Sequence, residues 1–216
     1  MTRNALSIDI RRMLWRFNVS IASYVHPDWV GSRDIRPVCG SASISYLQSQ
    51  CLIEQHRLGL VGMDVVESEN GRFVLLEVDD LKKLTCLGAA LGVAGQLKLL
   101  VFGKSARDCV RVLGREVSDL ALQLESHPIA GEFKILGIDA GNTPLPKRLL
   151  QIQRSLLKSL CDGVPNAAAQ RMRLRFRPGY FDRVQPVNGA GAMAPALLKV
   201  AQYANLSEQA KCILRY

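Results

Sequence analysis

Apolar positions recur at helical spacing through most of this chain. Leu84, Leu87, Gly88 and Leu91 share one side of a helix that Asp79 and Asp80 are placed to cap, with Leu81 as its first residue. Ser105-Ala-Arg-Asp108 has the spacing of a capping box and predicts a short helix carrying Cys109, Val110 and Leu113, closed by Gly114. Val117, Leu120, Ala121 and Leu124 form the next stripe. Thr143-Pro144 reads as an N-cap and an N1 proline, followed by a helix that buries Leu149, Ile152, Leu156 and Leu160. Lys147, Arg154 and Lys158 fall on the solvent face of that helix. Pro195 predicts the start of another helix running to Ala204, and Ser207 to Leu214 predicts a last one. The apolar run from Phe73 to Val78 is too short to assign to helix or strand.

One segment breaks the helical period. Arg171, Arg173, Arg175 and Arg177 alternate with Met172, Leu174 and Phe176 before Pro178-Gly179. Period two predicts a strand with three apolar side chains inward and four guanidinium groups outward. The expected fold is therefore mainly α: a single compact helical domain over residues 1–216, with a minor β element near residues 171–185. Loops are expected at Gly31 to Gly40, Ser68 to Gly71, Gly137 to Asn142 and Pro186 to Ala194.

Charge sharpens this picture. The 216 residues carry a formal net charge of +9. From residue 146 onward there are twelve basic and three acidic residues, while the first 145 residues balance. The C-terminal part is thus built to attract something acidic, or forms a solvated basic face. Arg171, Arg173, Arg175 and Arg177, with Lys147, Arg154 and Lys158, are the candidate partner-binding residues. Arginine pairs bidentately with carboxylate and phosphate alike, so the stripe does not choose between protein and nucleic acid. An outward arginine row also protects an edge strand.

The first residues lack an apolar core and a small-residue cleavage site, which predicts no secretory signal. Leu84 to Gly103 is the one membrane-span candidate, but it contains Gln96 and Lys98. It reads better as two buried helical pieces joined near Gly92 to Gly95. The six cysteines form no C-x-x-C pair, and Cys51 and His56 lack further ligands nearby, so reduced thiols and no metal are expected.

Gly103-Lys-Ser105 suggests a phosphate loop, but position 98 is Lys where that motif needs Gly. No G-x-S-x-G surrounds Ser43. His26 precedes Pro27 and Asp28, and Asp28 is placed to cap a turn containing Trp29, so His26 reads as a packing or turn residue. Neither enzyme chemistry nor a cofactor is expected.

Arg16-Phe17, followed by Tyr24, His26 and Trp29, resembles the N-terminal signature of the SctK family of type III secretion accessory proteins (YscK, PscK, OrgA, NolU-like). The likeness continues at Leu97 to Gly103 with Arg107 to Leu113, and at Arg171 to Pro178. The chain differs in carrying Asn18-Val-Ser-Ile21 where members carry a proline. The resemblance implies a non-enzymatic cytoplasmic adaptor of the sorting platform, held at the cytoplasmic face of the bacterial inner membrane. It would link the inner-membrane ring protein (SctD) to the pod protein (SctQ), and indirectly meet the stator SctL and the ATPase SctN. Arg16, Phe17, Tyr24, His26 and Trp29 would be structural, anchoring the N-terminal segment on the core. A nucleic-acid-binding protein using residues 146–216 is the competing expectation. Phe176 alone alternates with the arginines, on the opposite face, which is poor for base stacking.

Overall fold

A computed structural model describes residues 3–30, 42–100, 103–137, 143–185 and 190–215. Among these residues there are twelve α-helices, joined by short 3-10 turns, and no strand. The mainly α expectation is met, and the minor β element is not. The loop expected at Gly31 to Gly40 lies outside the described residues, as do parts of those at Gly137 to Asn142 and Pro186 to Ala194.

The helices are α1 Arg3–Val19, α2 Ala42–His56, α3 Met63–Glu67, α4 Val78–Gly92, α5 Ala94–Leu99, α6 Lys104–Leu113, α7 Arg115–Gln123, α8 Pro128–Phe133, α9 Leu145–Asp162, α10 Asn166–Arg173, α11 Ala190–Ala201 and α12 Glu208–Arg215. Packing divides the chain into two compact units. One comprises Met1–Leu75, Cys161–Asp182 and Tyr216, the other Leu76–Leu160 and Arg183–Arg215.

The arginine-rich segment is helix, then turn. Arg171 to Arg173 close α10, and Leu174 to Phe176 continue as overlapping turns: the Leu174 amide donates to the Gln170 carbonyl at 3.1 Å and the Phe176 amide to the Arg173 carbonyl at 3.0 Å. The alanines at 167–169 favour helix entering this segment, which outweighs a seven-residue alternation. The consequence is geometric. On a strand all four arginines share a face; on a helical path residues four apart share a side, so Arg171 pairs with Arg175 and Arg173 with Arg177.

Several helix starts differ from expectation for local reasons. α4 begins at Val78 behind Glu77, so Asp79 and Asp80 lie within its first turn, where the helix dipole favours them. α6 begins behind Gly103, whose φ of 107° suits glycine; Ser105 is then already inside the helix, and Asp108 pairs with Arg111 at 3.1 Å instead of capping. α9 begins at Leu145, one residue past Pro144. α11 begins before Pro195, which stands inside it; buried Met193, Ala194, Ala196 and Leu197 on both sides offset the hydrogen bond that proline removes. The apolar run at residues 73–76 is a buried 3-10 turn and its exit.

In the unit spanning Leu76–Leu160 and Arg183–Arg215, α4 is the central helix, flanked by α6, α7, α8 and α11. Gly88 makes this possible. A Cβ there would stand 3.0 Å from Phe133, 3.1 Å from Leu156 and 3.2 Å from Leu197, so glycine lets side chains of α8, α9 and α11 converge on α4. The break between α4 and α5 at Val93 is the expected junction. No described helix is long and apolar enough to cross a membrane.

Candidate functional site

In the other unit, α1 turns Ile10, Leu14 and Phe17 inward. Its last carbonyls have no partner within the helix and carry the negative end of its dipole. A guanidinium meets them. Arg171 is fully buried at 0% exposure. Its Nη1 donates to the carbonyls of Phe17 (3.0 Å) and Asn18 (3.1 Å), and its Nε donates to the carbonyl of Gly59 (3.0 Å). The Tyr24 hydroxyl donates to the same Phe17 carbonyl at 2.6 Å.

Above these bonds lies an aromatic floor. The rings of Phe17 and Tyr24 stack with centroids 5.3 Å apart. Arg175, also buried, places its guanidinium carbon 4.9 Å from the Phe17 centroid and 5.0 Å from that of Tyr24. Desolvated cation–π contacts of this kind contribute up to about 2 kcal/mol each. Burial raises the Tyr24 pKa above 10.0, and the nearby Arg171 and Arg175 partly oppose that rise.

His26 and Trp29 tie in the same segment. The His26 amide donates to the Leu174 carbonyl at 2.8 Å, and the Trp29 indole donates to the Phe176 carbonyl at 2.6 Å. Trp29 also meets the His56 ring edge-on at 5.6 Å. His26 itself caps the turn Pro27–Trp29, its Nδ1 accepting from the Asp28 amide at 3.3 Å. The expected cap, Asp28, instead forms an ion pair with Arg177 at 3.1 Å. Arg16 takes no part: it stands exposed on the outer side of α1.

The outward four-arginine stripe is therefore replaced by two pairs. Arg171 and Arg175 are core groups. Arg173 and Arg177 are accessible and hold Asp162 (2.6 Å) and Asp28. On α9, Lys147 and Arg154 are exposed and Lys158 is half-buried, as the helical spacing expects. Arg148, between them in sequence, is buried and donates to Gln96.

Sequence reasoning missed two contributors. Asn18 exchanges two hydrogen bonds of 2.9 Å with the backbone of Val61, fixing the segment after α2 against the end of α1. Gly59 then offers its carbonyl to Arg171. An asparagine in the last turn of a helix was the only available signal, since long-range partners leave no local pattern.

Chemically the arrangement is a clasp: two buried cations, three helix-end or loop carbonyls and two stacked rings. It fixes the backbone of residues 17–29 against residues 171–176. Cys51 is exposed, and no cluster of three or more metal-binding side chains occurs among the described residues. No family model, curated protein or solved structure matches this chain.

Proposed function

We propose that this chain is a non-enzymatic adaptor of the type III secretion sorting platform, of SctK type, linking the ring protein SctD to the pod protein SctQ at the cytoplasmic face of the inner membrane. One observation supports this reading above the others. Two of the segments that carry the likeness to that family, residues 16–29 and 171–178, lie some 150 residues apart in sequence. They meet through Arg171 to Phe17 and Asn18, His26 to Leu174, and Trp29 to Phe176. A likeness shared by two distant segments gains weight when they form one physical unit.

The docking cations are then Arg173, Arg177, Lys147, Arg154 and Lys158, without the buried Arg171 and Arg175. Exposed charges of this kind set orientation and association rate more than affinity. The test is a calorimetric titration of the chain with the SctD cytoplasmic domain and with SctQ from the same genome, with random duplex DNA as control. Saturable binding to either protein, weakened in the R173E/R177E double variant, is the expected result. Binding to neither protein, together with tight and steeply salt-dependent binding to DNA, would replace the adaptor with a nucleic-acid-binding protein.

A further inference from the structure

The clasp uses the inner face of α1 and leaves its outer face to be explained. Ile10, Leu14 and Phe17 point inward. At 100° per residue, Arg11, Arg12, Trp15 and Arg16 fall on the opposite arc. All four are exposed, Trp15 to 64%. An indole on the solvent side of a folded helix adds little to the core, and alone it is ordinary; its neighbours decide its meaning.

A second exposed apolar group lies on the segment bonded to the end of α1. Asn18 lies one turn beyond Trp15 on α1, and its side chain holds Val61 by two hydrogen bonds. That bond pair draws the segment 58–62 alongside the last turn of α1. Within it, Leu58 and Val61 are buried while Leu60 is 78% exposed. The backbone there is fixed from the other side too, because Gly59 accepts from Arg171. Leu60 thus stands exposed between two residues whose backbones are bonded, Val61 to the end of α1 and Gly59 to Arg171, while α1 itself holds Trp15 outward.

The charges on the outer arc of α1 are of one sign. Asp9 is the only acidic residue of α1, and it is half-buried. No described carboxylate forms an ion pair with Arg11, Arg12 or Arg16. Tryptophan and arginine are the residue types that most often dominate binding energy at protein interfaces. A lipid surface would call for a broad apolar helix face, whereas α1 turns its apolar face into the core and offers one indole and one leucine.

We infer that the outer face of α1, with Leu60, is a protein-docking surface: Trp15 and Leu60 enter an apolar cleft of the partner while Arg11, Arg12 and Arg16 pair with carboxylates around it. The occupant is an acidic protein segment with apolar side chains, selected by charge complementarity. This surface differs from the C-terminal cations discussed above and does not depend on the secretion assignment.

The test uses the full chain and a random peptide library displayed on phage. Enriched peptides are synthesised and titrated while the tryptophan emission is followed, with W15F identifying the share that belongs to Trp15. The expected peptides are acidic, contain Leu, Ile or aromatic residues, and shift the Trp15 emission to the blue. Their affinity falls about thirtyfold in W15A and about tenfold in R12E/R16E, while both variants keep the wild-type circular dichroism spectrum. Three results overturn the inference. They are enrichment of peptides that bind W15A and wild type equally, no enrichment at all, and a Trp15 shift with phosphatidylserine vesicles but with none of the peptides.

Discussion

Replacing Arg171 by methionine separates a buried clasp from a surface arginine stripe. Methionine keeps most of the side-chain volume and removes the charge and the donors. Arg171 makes three charge-assisted bonds to backbone carbonyls, a kind that typically contributes about 1.5–3 kcal/mol each. Holding a guanidinium at 0% exposure takes back several kcal/mol of that sum. After the substitution the Phe17 carbonyl keeps the Tyr24 hydroxyl, whereas the Asn18 and Gly59 carbonyls lose their side-chain donor. Asn18 is half-buried and Gly59 exposed, so water takes up part of that loss and each carbonyl costs about 1 kcal/mol, the low end for an unmet acceptor. The net expectation for R171M is a loss of about 2 kcal/mol. R173A, which breaks an accessible pair with Asp162, is expected to cost about 0.5 kcal/mol.

Urea unfolding followed by tryptophan fluorescence is the suitable assay. Both tryptophans, Trp15 and Trp29, belong to the unit that holds the clasp. Far-ultraviolet circular dichroism reports on both units together. A shift of the fluorescence midpoint without a change in slope converts directly to ΔΔG. An R171M variant within about 1 kcal/mol of wild type, or an R173A variant as damaged as R171M, would refute the reasoning, because it would make the arginines equivalent surface groups.

Four further outcomes follow from other parts of the chain. Asp80 accepts from the Ser207 amide at 3.1 Å and from its hydroxyl at 2.6 Å, while that hydroxyl caps α12 at Ala210; D80A should cost about 2 kcal/mol and speed amide exchange in Glu208–Arg215 more than elsewhere. Arg57 has φ of 48° just past α2, with Leu58 donating to Ile53 and Arg57 to Glu54, a Schellman ending that favours glycine, so R57G should raise stability by about 1 kcal/mol in the same urea assay. Burial pushes the Cys86 thiol from 9.0 to about 11, with Lys82 opposing; the unfolded chain loses that proton first, so the stabilisation is complete below pH 9 and is lost as pH rises towards and through 11. Burial moves Tyr24 in the same direction at higher pH, and C86A should flatten the first part of the alkaline fall in melting temperature. Thiol labelling resolved by peptide mass should modify exposed Cys51 well before buried Cys86, Cys109 and Cys161.

What could be read from the sequence, and what could not, follows from the range of the forces involved. Helix existence is local. The stripe Leu149, Ile152, Leu156 and Leu160 announces α9, and all four are buried. The junction between α4 and α5 was legible for the same reason, because a polar pair and two glycines interrupt one apolar run. Alternation over seven residues is a weaker signal, since residues four apart share a side in both helix and strand. The four arginines therefore look identical in sequence, and only a carbonyl cluster supplied by Phe17, Asn18 and Gly59 separates Arg171 from Arg173.

The same limit explains the helix starts. Asp80 looks like a cap because it precedes an apolar run, yet its partner Ser207 lies 127 residues away. Polar side chains are chosen by partners that folding brings close, and those partners carry no periodicity. A buried guanidinium also makes sense of the charge excess beyond residue 146. Arg148, Arg171 and Arg175 are buried, so three of its twelve basic residues satisfy the protein's own amides, carbonyls and rings, and only the remainder can face a partner. Counting net charge overstates the basic surface of a chain that uses arginine as a core residue. Arg11, Arg12 and Arg16 of α1, for which no described carboxylate forms an ion pair, stand instead within the first 145 residues, whose charges balance.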